Sequence, residues 1–352
     1  MPEVGPVLVA GHACLDIIPA MDHAGALEPG VLVEVGAARL AGGGAVSNTG
    51  LALHRLGARV RLAAKVGDDA FGSLLRVLYE IEGPGLAEGL IVSQGETTSY
   101  SVVISPPGRD RMFLHAPGCN ATFRSRDVPD ALLEGCVWMH LGYPTLMPAL
   151  FAGGGAELES LFRRAKEHGL GTSLDTSLPD PESAAGRADW RAILGRVLPH
   201  VDVFLPSRDE IASMLPMGEG DLPALVEALH GMGCRVAGIK CGAEGLLVSS
   251  RRDPLGDRPE WTGKCVSQGT YPVAVAGTTG AGDATFAGFL FGLLSGQTLE
   301  QSAASACAVG ACCCEQPDAL SGILSWQSVQ NRLQSVWAGR EHPGPAREIA
   351  GE

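Results

Sequence analysis

Asp283 closes the run Gly277-Thr278-Thr279-Gly280-Ala281-Gly282 and opens an apolar, helix-forming stretch from Ala284 to Leu294. The first N–H groups of a helix lack partners within it, and the aligned peptide dipoles place roughly half a positive charge there. Glycines let an anion approach that backbone closely. Gly280, Ala281 and Gly282 therefore read as an anion hole built without lysine. Asp283 has two readings on these residues. A carboxylate in the first turn is stabilised by about 0.3–1 kcal/mol, which alone accounts for an acid there. It also suits a general base that takes the proton of an alcohol during phosphoryl transfer. Gly277 stands where a second acid would be expected.

Other phosphate and hydrolase motifs do not fit. The chain has no GxxxxGK[ST], no GxSxG and no HExxH. "AGGGAVSNTG" is glycine-rich before a helix, but Ser47 falls where the last glycine of GxGxxG belongs. A dinucleotide-dependent oxidoreductase, which would need NAD, therefore has weak support.

Elements must position Asp283. "VLVAGHACLDIIP" opens as a buried strand, Val7 to Ala10. A helix over 47–57 follows, capped by Ser47 or Asn48 and ended by Gly57. "VRLAAKVG" is a strand, and Phe71, Leu74, Leu75 and Leu78 share one helical face. From 137 onward strands alternate with helices: "VWMHLG", "GTSLDTS", "VDVFLPS", "RVAGIKCG" and "GLLVSS", with helices at 189–198, 208–215 and 222–232. This rhythm predicts an α/β fold with a parallel sheet covered by helices on both faces. "YPVAVA" reads as the strand before the glycine run, with helices at 281–295 and 298–315 after it. Residues 13–40, with "VLVEVG" as a strand, and 90–122, with a hairpin around Pro-Pro-Gly, lack that rhythm. They read as a small discontinuous β-sheet. The main domain spans 1–338, and the Pro-, Gly- and charge-rich stretch 339–352 reads as a frayed tail.

Composition narrows the partners. A net charge of −13 disfavours nucleic acid, and the pairs Arg163-Arg164 and Arg251-Arg252 are too short to reverse that. Ten irregularly spaced cysteines without CxxC read as small buried residues in a reducing compartment. The apolar start lacks a basic leader, and Phe286–Leu294 is too short to span a bilayer. A cytoplasmic protein with a small-molecule substrate, bound neither to membrane nor to nucleic acid, is expected.

Taken together, these motifs resemble the PfkB family of carbohydrate kinases, also called ribokinase-like, from about residue 5 to 335. "GTTGAGDATFAGFLFGL" resembles its C-terminal motif, DTxGAGD, and "AGGGAVSNTGLALHRLG" with "VGDDAFG" its N-terminal one. "GRDRMFLHAPGCNATF" resembles a lid segment and "IKCGAEGLLV" the nucleotide-side strand and turn. The resemblance implies a ribokinase-like fold, a Rossmann-like, mostly parallel sheet flanked by helices with a small discontinuous β-sheet lid over the substrate, and transfer of the ATP γ-phosphate to a hydroxyl of a sugar, nucleoside or related molecule. It makes Asp283 the base, Gly280–Gly282 the anion hole, and Asp16, Gly42, Gly43, Asn48 and Asn120 the substrate side. It places Lys240, Gly242, Gly245 and Cys307 on the ATP side, with Lys240 open between phosphate contact and a surface strand end. Core packing competes for Cys307. His115, Arg111 and Asp175 are candidates for reading the substrate, each also explicable as structural.

Two positions depart from the family pattern. Its magnesium-organising Asn-x-x-Glu is here Ser207 and Glu210, so Mg²⁺ would rest on ATP phosphates and water with Glu210 in an outer shell. Gly277 replaces an Asp, which puts K⁺ activation in doubt. Both departures motivate an alternative, a catalytically weak sugar-binding or regulatory protein on the same fold. Exposed edges of the lid sheet point to a homodimer.

Overall fold

Val7 to Ala10 lie in the first strand, β1 (Val7–Gly11), every residue of which is buried. The computed structural model describes residues 4–22, 30–106, 111–215, 217, 221–256, 258–340 and 342–345. Further strands are β2 (Cys14–Pro19), β3 (Ala38–Gly43), β4 (Val60–Gly67), β5 (Leu90–Ser93), β6 (Tyr100–Ile104) and β7 (Met112–Ala116). They continue as β8 (Trp138–Gly142), β9 (Gly171–Asp175), β10 (Val203–Phe204), β11 (Val236–Lys240), β12 (Leu246–Ser250) and β13 (Lys264–Gln268). The helices are α1 (Gly44–Leu56), α2 (Ala70–Glu82), α3 (Asp130–Leu133), α4 (Pro148–Glu167) and α5 (Trp190–Val197). After them come α6 (Arg208–Met214), α7 (Leu222–Gly231), α8 (Ala281–Leu294), α9 (Leu299–Cys314) and α10 (Trp326–Gln334).

The large sheet runs β13-β12-β11-β10-β9-β8-β1-β4-β5. From β11 to β5 all neighbours are parallel, and β12 and β13 close one edge antiparallel. Apart from that edge, this is the parallel sheet that strand–helix alternation predicts. Alternate residues of β1 feed two cores. Val7 and Val9 join Val46 and Phe286, while Leu8 and Ala10 join Leu158 and Phe162. Burial on both faces is why such strands read as unbroken apolar runs.

A separate smaller sheet runs β3-β2-β6-β7, with β2 and β6 parallel and the outer pairs antiparallel. Its β6–β7 hairpin falls where expected, with Pro107 and Gly108 of its turn outside the described residues. Leu90–Ser93 instead pairs with β4 in the large sheet.

Three local expectations change. Val31–Gly36 is irregular, with Leu32 90% exposed. The strand that pairs with β2 is Ala38–Gly43, because the ladder to Cys14–Pro19 is filled by those residues. Helix α1 starts at Gly44, three residues early, and Ser47 does not cap it. The Ser47 hydroxyl donates to the Gly43 carbonyl and meets the Tyr79 hydroxyl. "YPVAVA" forms no strand: the N–H groups of Ala276 and Gly277 donate to the Cys314 carbonyl at the end of α9 rather than to a ladder.

The cysteines are all free; seven, Cys312 and Cys313 among them, are buried as expected of small apolar residues, but Cys136 and Cys314 are half-buried and Cys265, on the edge strand β13, is exposed. Of the tail, His342 donates its N–H to the Thr270 carbonyl at 2.8 Å, and residues 341 and 346–352 lie outside the described set.

Candidate active site

Gly280 opens α8 in the left-handed region, φ +70°, and a Cβ there would lie 2.5 Å from Cβ of Ala319. Only glycine makes that turn without strain. Gly282 is exposed and Ala281 half-buried, so the start of α8 opens outward. Asp283, one residue on, turns inward and is 4% exposed. Its carboxylate accepts hydrogen bonds from Asn48 Nδ2 at 3.0 Å, Thr49 Oγ1 at 3.1 Å and the Tyr143 hydroxyl at 2.7 Å. Asn48 and Thr49 come from α1, which packs against α8. Tyr143 follows β8 and holds a left-handed backbone, φ 62°, unique among the described non-glycine residues. Such strain persists where surrounding contacts over-determine it, often at functional sites.

Lys240, at the end of β11, is 8% exposed, which excludes a surface lysine. Its ammonium pairs with Asp175 at 2.8 Å, and Nζ lies 3.4 Å from where a Cβ on Gly282 would sit. Burial works against the ammonium, but Asp175, Glu210 and Asp283 hold its pKa above the ordinary lysine range. Burial raises Asp175, and the neighbouring Glu210 and Asp283 add to that, against the pull of Lys240. Asp175 is thus bound to Lys240 rather than turned toward an acceptor. Glu210 forms a capping box with Ser207: Ser207 N–H donates to Oε2 at 2.8 Å, and Thr176 Oγ1 donates to the same atom at 3.1 Å.

Gly242 and Gly245 bracket a one-turn helix between β11 and β12, and both have positive φ. Cys307 is buried beside this turn, its Sγ 3.8 Å from the Gln268 carbonyl, with its thiol pushed up to about 12 by burial and by Cys241. Packing explains that side chain.

Across the cleft, Asp16 lies on β2 opposite the end of β3. Its carboxylate presses on Gly43, where a Cβ would collide with it. Burial raises the Asp16 pKa to about 6, against hydrogen bonds from Cys14 and Ser101 and the charge of Arg39. Asn120 is fully buried, with Nδ2 donating to the Ala13 carbonyl at 2.8 Å. Arg111 Nη2 reaches Thr278 Oγ1 at 3.2 Å, so the small sheet touches the loop before α8. His115 Nδ1 meets Ser101 Oγ at 3.0 Å. A cavity of about 250 Å³ lies between sheet and body, lined by Asp16, Gly42, Asn48, Arg39, Arg111 and Thr279 among others. Tyr143, Thr49 and the Asp175–Lys240 pairing were not singled out from sequence. Tyr143 follows Gly142 at the carboxyl end of a parallel strand, the place where ligands of such sheets bind, and that rule would have found it.

A profile of the pfkB family of carbohydrate kinases matches residues 6–326. The chain belongs to that family. As a pfkB-family kinase it is a phosphotransferase with an alcohol group as acceptor. It is 28% identical over 273 residues to an uncharacterised sugar kinase of Archaeoglobus fulgidus, covering 78% of this chain and 98% of that one. A nucleoside kinase of Methanothermobacter thermautotrophicus is 24% identical over 343 residues, covering 97% and 100%. The fold matches Arabidopsis thaliana ribokinase complexed with ribose and ATP, at TM-score 0.74 and 19% identity over 94% of this chain and 99% of that one. Among the described residues of this pfkB-family chain, no helix is long and apolar enough to cross a membrane. Among them, too, no group of three or more His, Cys, Asp or Glu is placed to hold a metal.

Proposed function

We propose that this kinase transfers the γ-phosphoryl group of ATP to a hydroxyl of a sugar or sugar-like molecule, nucleosides included. Asp283 is the general base and Gly280–Gly282 the anion hole. The observation that carries this reading is one turn of backbone: an open helix N-terminus at Gly282, and beside it a buried carboxylate held by three donors. A carboxylate so held has a fixed direction, which general-base work needs. As the acceptor oxygen attacks phosphorus, its proton passes to Asp283, and the bond to the ADP oxygen breaks. The helix N-terminus and the Lys240 ammonium face the charge of the transferring group. Asp16, Gly42, Gly43, Asn48 and Asn120 hold the acceptor.

Bound ATP would supply the phosphoryl group, and the exposed Gly282, which carries no side chain, lets a phosphate approach the start of α8. Gly242 and Gly245 would leave the base end of the nucleotide close to backbone, with Cys307 packing behind. Mg²⁺, a hard ion that keeps its waters, fits a site with few protein carboxylates. Hydrogen bonds to Glu210 fall on Oε2, so Oε1 would meet a metal-bound water. K⁺ activation is not expected with Gly277. A second copy of the chain is proposed to pair through the small sheet, where Met112, Phe113 and Leu114 are exposed; gel filtration with light scattering tests that.

The functional test is an ATP-coupled screen of ketoses, pentoses, nucleosides and deoxy-sugar acids, with and without K⁺. Asp283→Asn should cut turnover on the best acceptor by roughly 10²–10⁴-fold, the usual worth of a general base. Near-normal turnover in that variant rules out the mechanism. Sugar binding without ATP consumption would instead make the chain a sugar-binding protein on a kinase fold.

A further inference from the structure

His12 follows β1 and is 2% exposed, yet neither ring nitrogen has a hydrogen-bond partner among the described residues. Its ring centroid lies 5.2 Å from that of His115 and 6.1 Å from that of Tyr143, whose hydroxyl holds Asp283. His115 belongs to a row across three strands of the small sheet: Asp16 is opposite Ser101, and Ser101 opposite His115. Directly opposed residues share a face, so His115 and Asp16 face the same way. Among the described residues His115 Nε2 is also buried without a partner, and so is Oδ1 of Asn120, whose amide holds the carbonyl next to His12. Buried polar atoms are normally satisfied, and here several unsatisfied ones gather around His12, whose ring neighbours that of Tyr143.

Burial pushes His12 down to about 3, with His115 adding to the effect, and burial lowers His115 as well. Both rings are therefore neutral near pH 7, and a neutral imidazole offers one N–H and one lone pair. An anionic group only accepts hydrogen bonds. It would leave the lone pair of His12 and Oδ1 of Asn120 unmet, and it would lie near the Asp16 carboxylate. A hydroxyl both donates and accepts, and neighbouring hydroxyls of a polyol supply the two protons that the His12 lone pair and Asn120 Oδ1 take while accepting from the imidazole N–H groups.

We propose that His12 and His115 form a two-imidazole subsite for hydroxyl groups of the acceptor, so that the part of the substrate entering here is an uncharged polyol rather than a sugar acid or sugar phosphate. This names the substrate class of the kinase reading above and rests on it.

The test uses the full chain without nucleotide. Calorimetry with D-ribose, D-fructose, adenosine and D-gluconate compares wild type with His12→Phe, His12→Asn and His115→Phe, while ¹⁵N NMR follows the imidazole nitrogens. At least one neutral probe should bind and shift the ring nitrogens of both histidines. His12→Phe should weaken that binding by about ten-fold or more, the scale of one well-made hydrogen bond, and His12→Asn should recover part of it. The proposal falls if gluconate outbinds every neutral probe or if no probe binds. It also falls if the ring nitrogens stay still and His12→Phe binds like wild type, as they would if water filled the subsite. Should His12→Phe fail to fold by circular dichroism, His115→Phe, at a half-buried position, carries the same comparison. ADP formation, measured after ATP and Mg²⁺ are added to the same samples, separates the two claims. The expected binding pattern without ADP formation refutes the kinase reading alone. ADP formation with binding unchanged in every variant refutes the subsite alone.

Discussion

The hydroxyl of Tyr143 donates a 2.7 Å hydrogen bond to the carboxylate of Asp283, joining residues 140 apart in sequence. Asn48 and Thr49 complete the set of donors from α1. The proposed base is thus aimed by a strand end and a helix that the glycine run itself does not contain. Tyr143→Phe keeps the ring and removes the donor. A hydrogen bond to a charged group is worth about 1.5–3 kcal/mol, so turnover should fall by at least about ten-fold. Acceptor KM should change little, because the phenol touches the base. Steady-state kinetics at saturating ATP decide it, and an unchanged kcat would leave Tyr143 a packing residue.

Gly277 leaves no room for the acid common in the family. A Cβ there would lie 2.9 Å from Cα of Pro317 and 3.2 Å from the Gln316 carbonyl oxygen, both backbone atoms. Gly277→Asp should lower stability by about 1–3 kcal/mol, as overpacking does, without creating a response to K⁺. Thermal melts and rates in KCl against NaCl report both. Stabilisation specific to K⁺ would show that the 316–317 loop yields.

Lys240 and Asp175 form a buried ion pair, both under a tenth exposed. Removing one partner of such a pair typically costs about 3–5 kcal/mol, because the other charge is left uncompensated. Lys240→Met and Asp175→Asn should each lower the denaturant midpoint strongly, and the double variant by less than their sum. Additive losses would mean that the two side chains act independently.

Asp16 ties stability to pH. Its folded pKa is raised from 3.8 to about 6, chiefly by burial, so the folded chain binds that proton more tightly than the unfolded chain. Its ionisation therefore destabilises the unliganded fold increasingly as pH rises from about 4 to 6, and fully above that. Asp16→Asn should raise the melting temperature at pH 7.5 and leave it unchanged near pH 3.5, while acceptor binding is lost. A variant melting no higher than wild type at pH 7.5 would refute the burial penalty.

The main sheet was legible because parallel strands buried on both faces read as apolar runs between amphipathic helices. What failed was local. Val31–Gly36 and "YPVAVA" have strand composition, but a strand also needs a partner. Gly42 and Gly43 carry little strand propensity, yet they close the ladder with Leu15 and Cys14, where Ser47 and Tyr79 crowd Gly42 and the Asp16 carboxylate crowds Gly43, leaving no room for a side chain.

By itself the sequence determined the glycine turn and Asp283 on the first turn of its helix, because a helix start depends on a few consecutive residues. It also determined the strand–helix rhythm and the acidic surface. Only the tertiary structure decided what surrounds Asp283: Tyr143, Asn48 and Thr49 on its oxygens, Lys240 bound to Asp175 nearby, and His12 beside His115 across the cleft. These contacts join strand ends far apart along the chain. Local propensity carries no information about such contacts, since they follow from sheet order and helix packing.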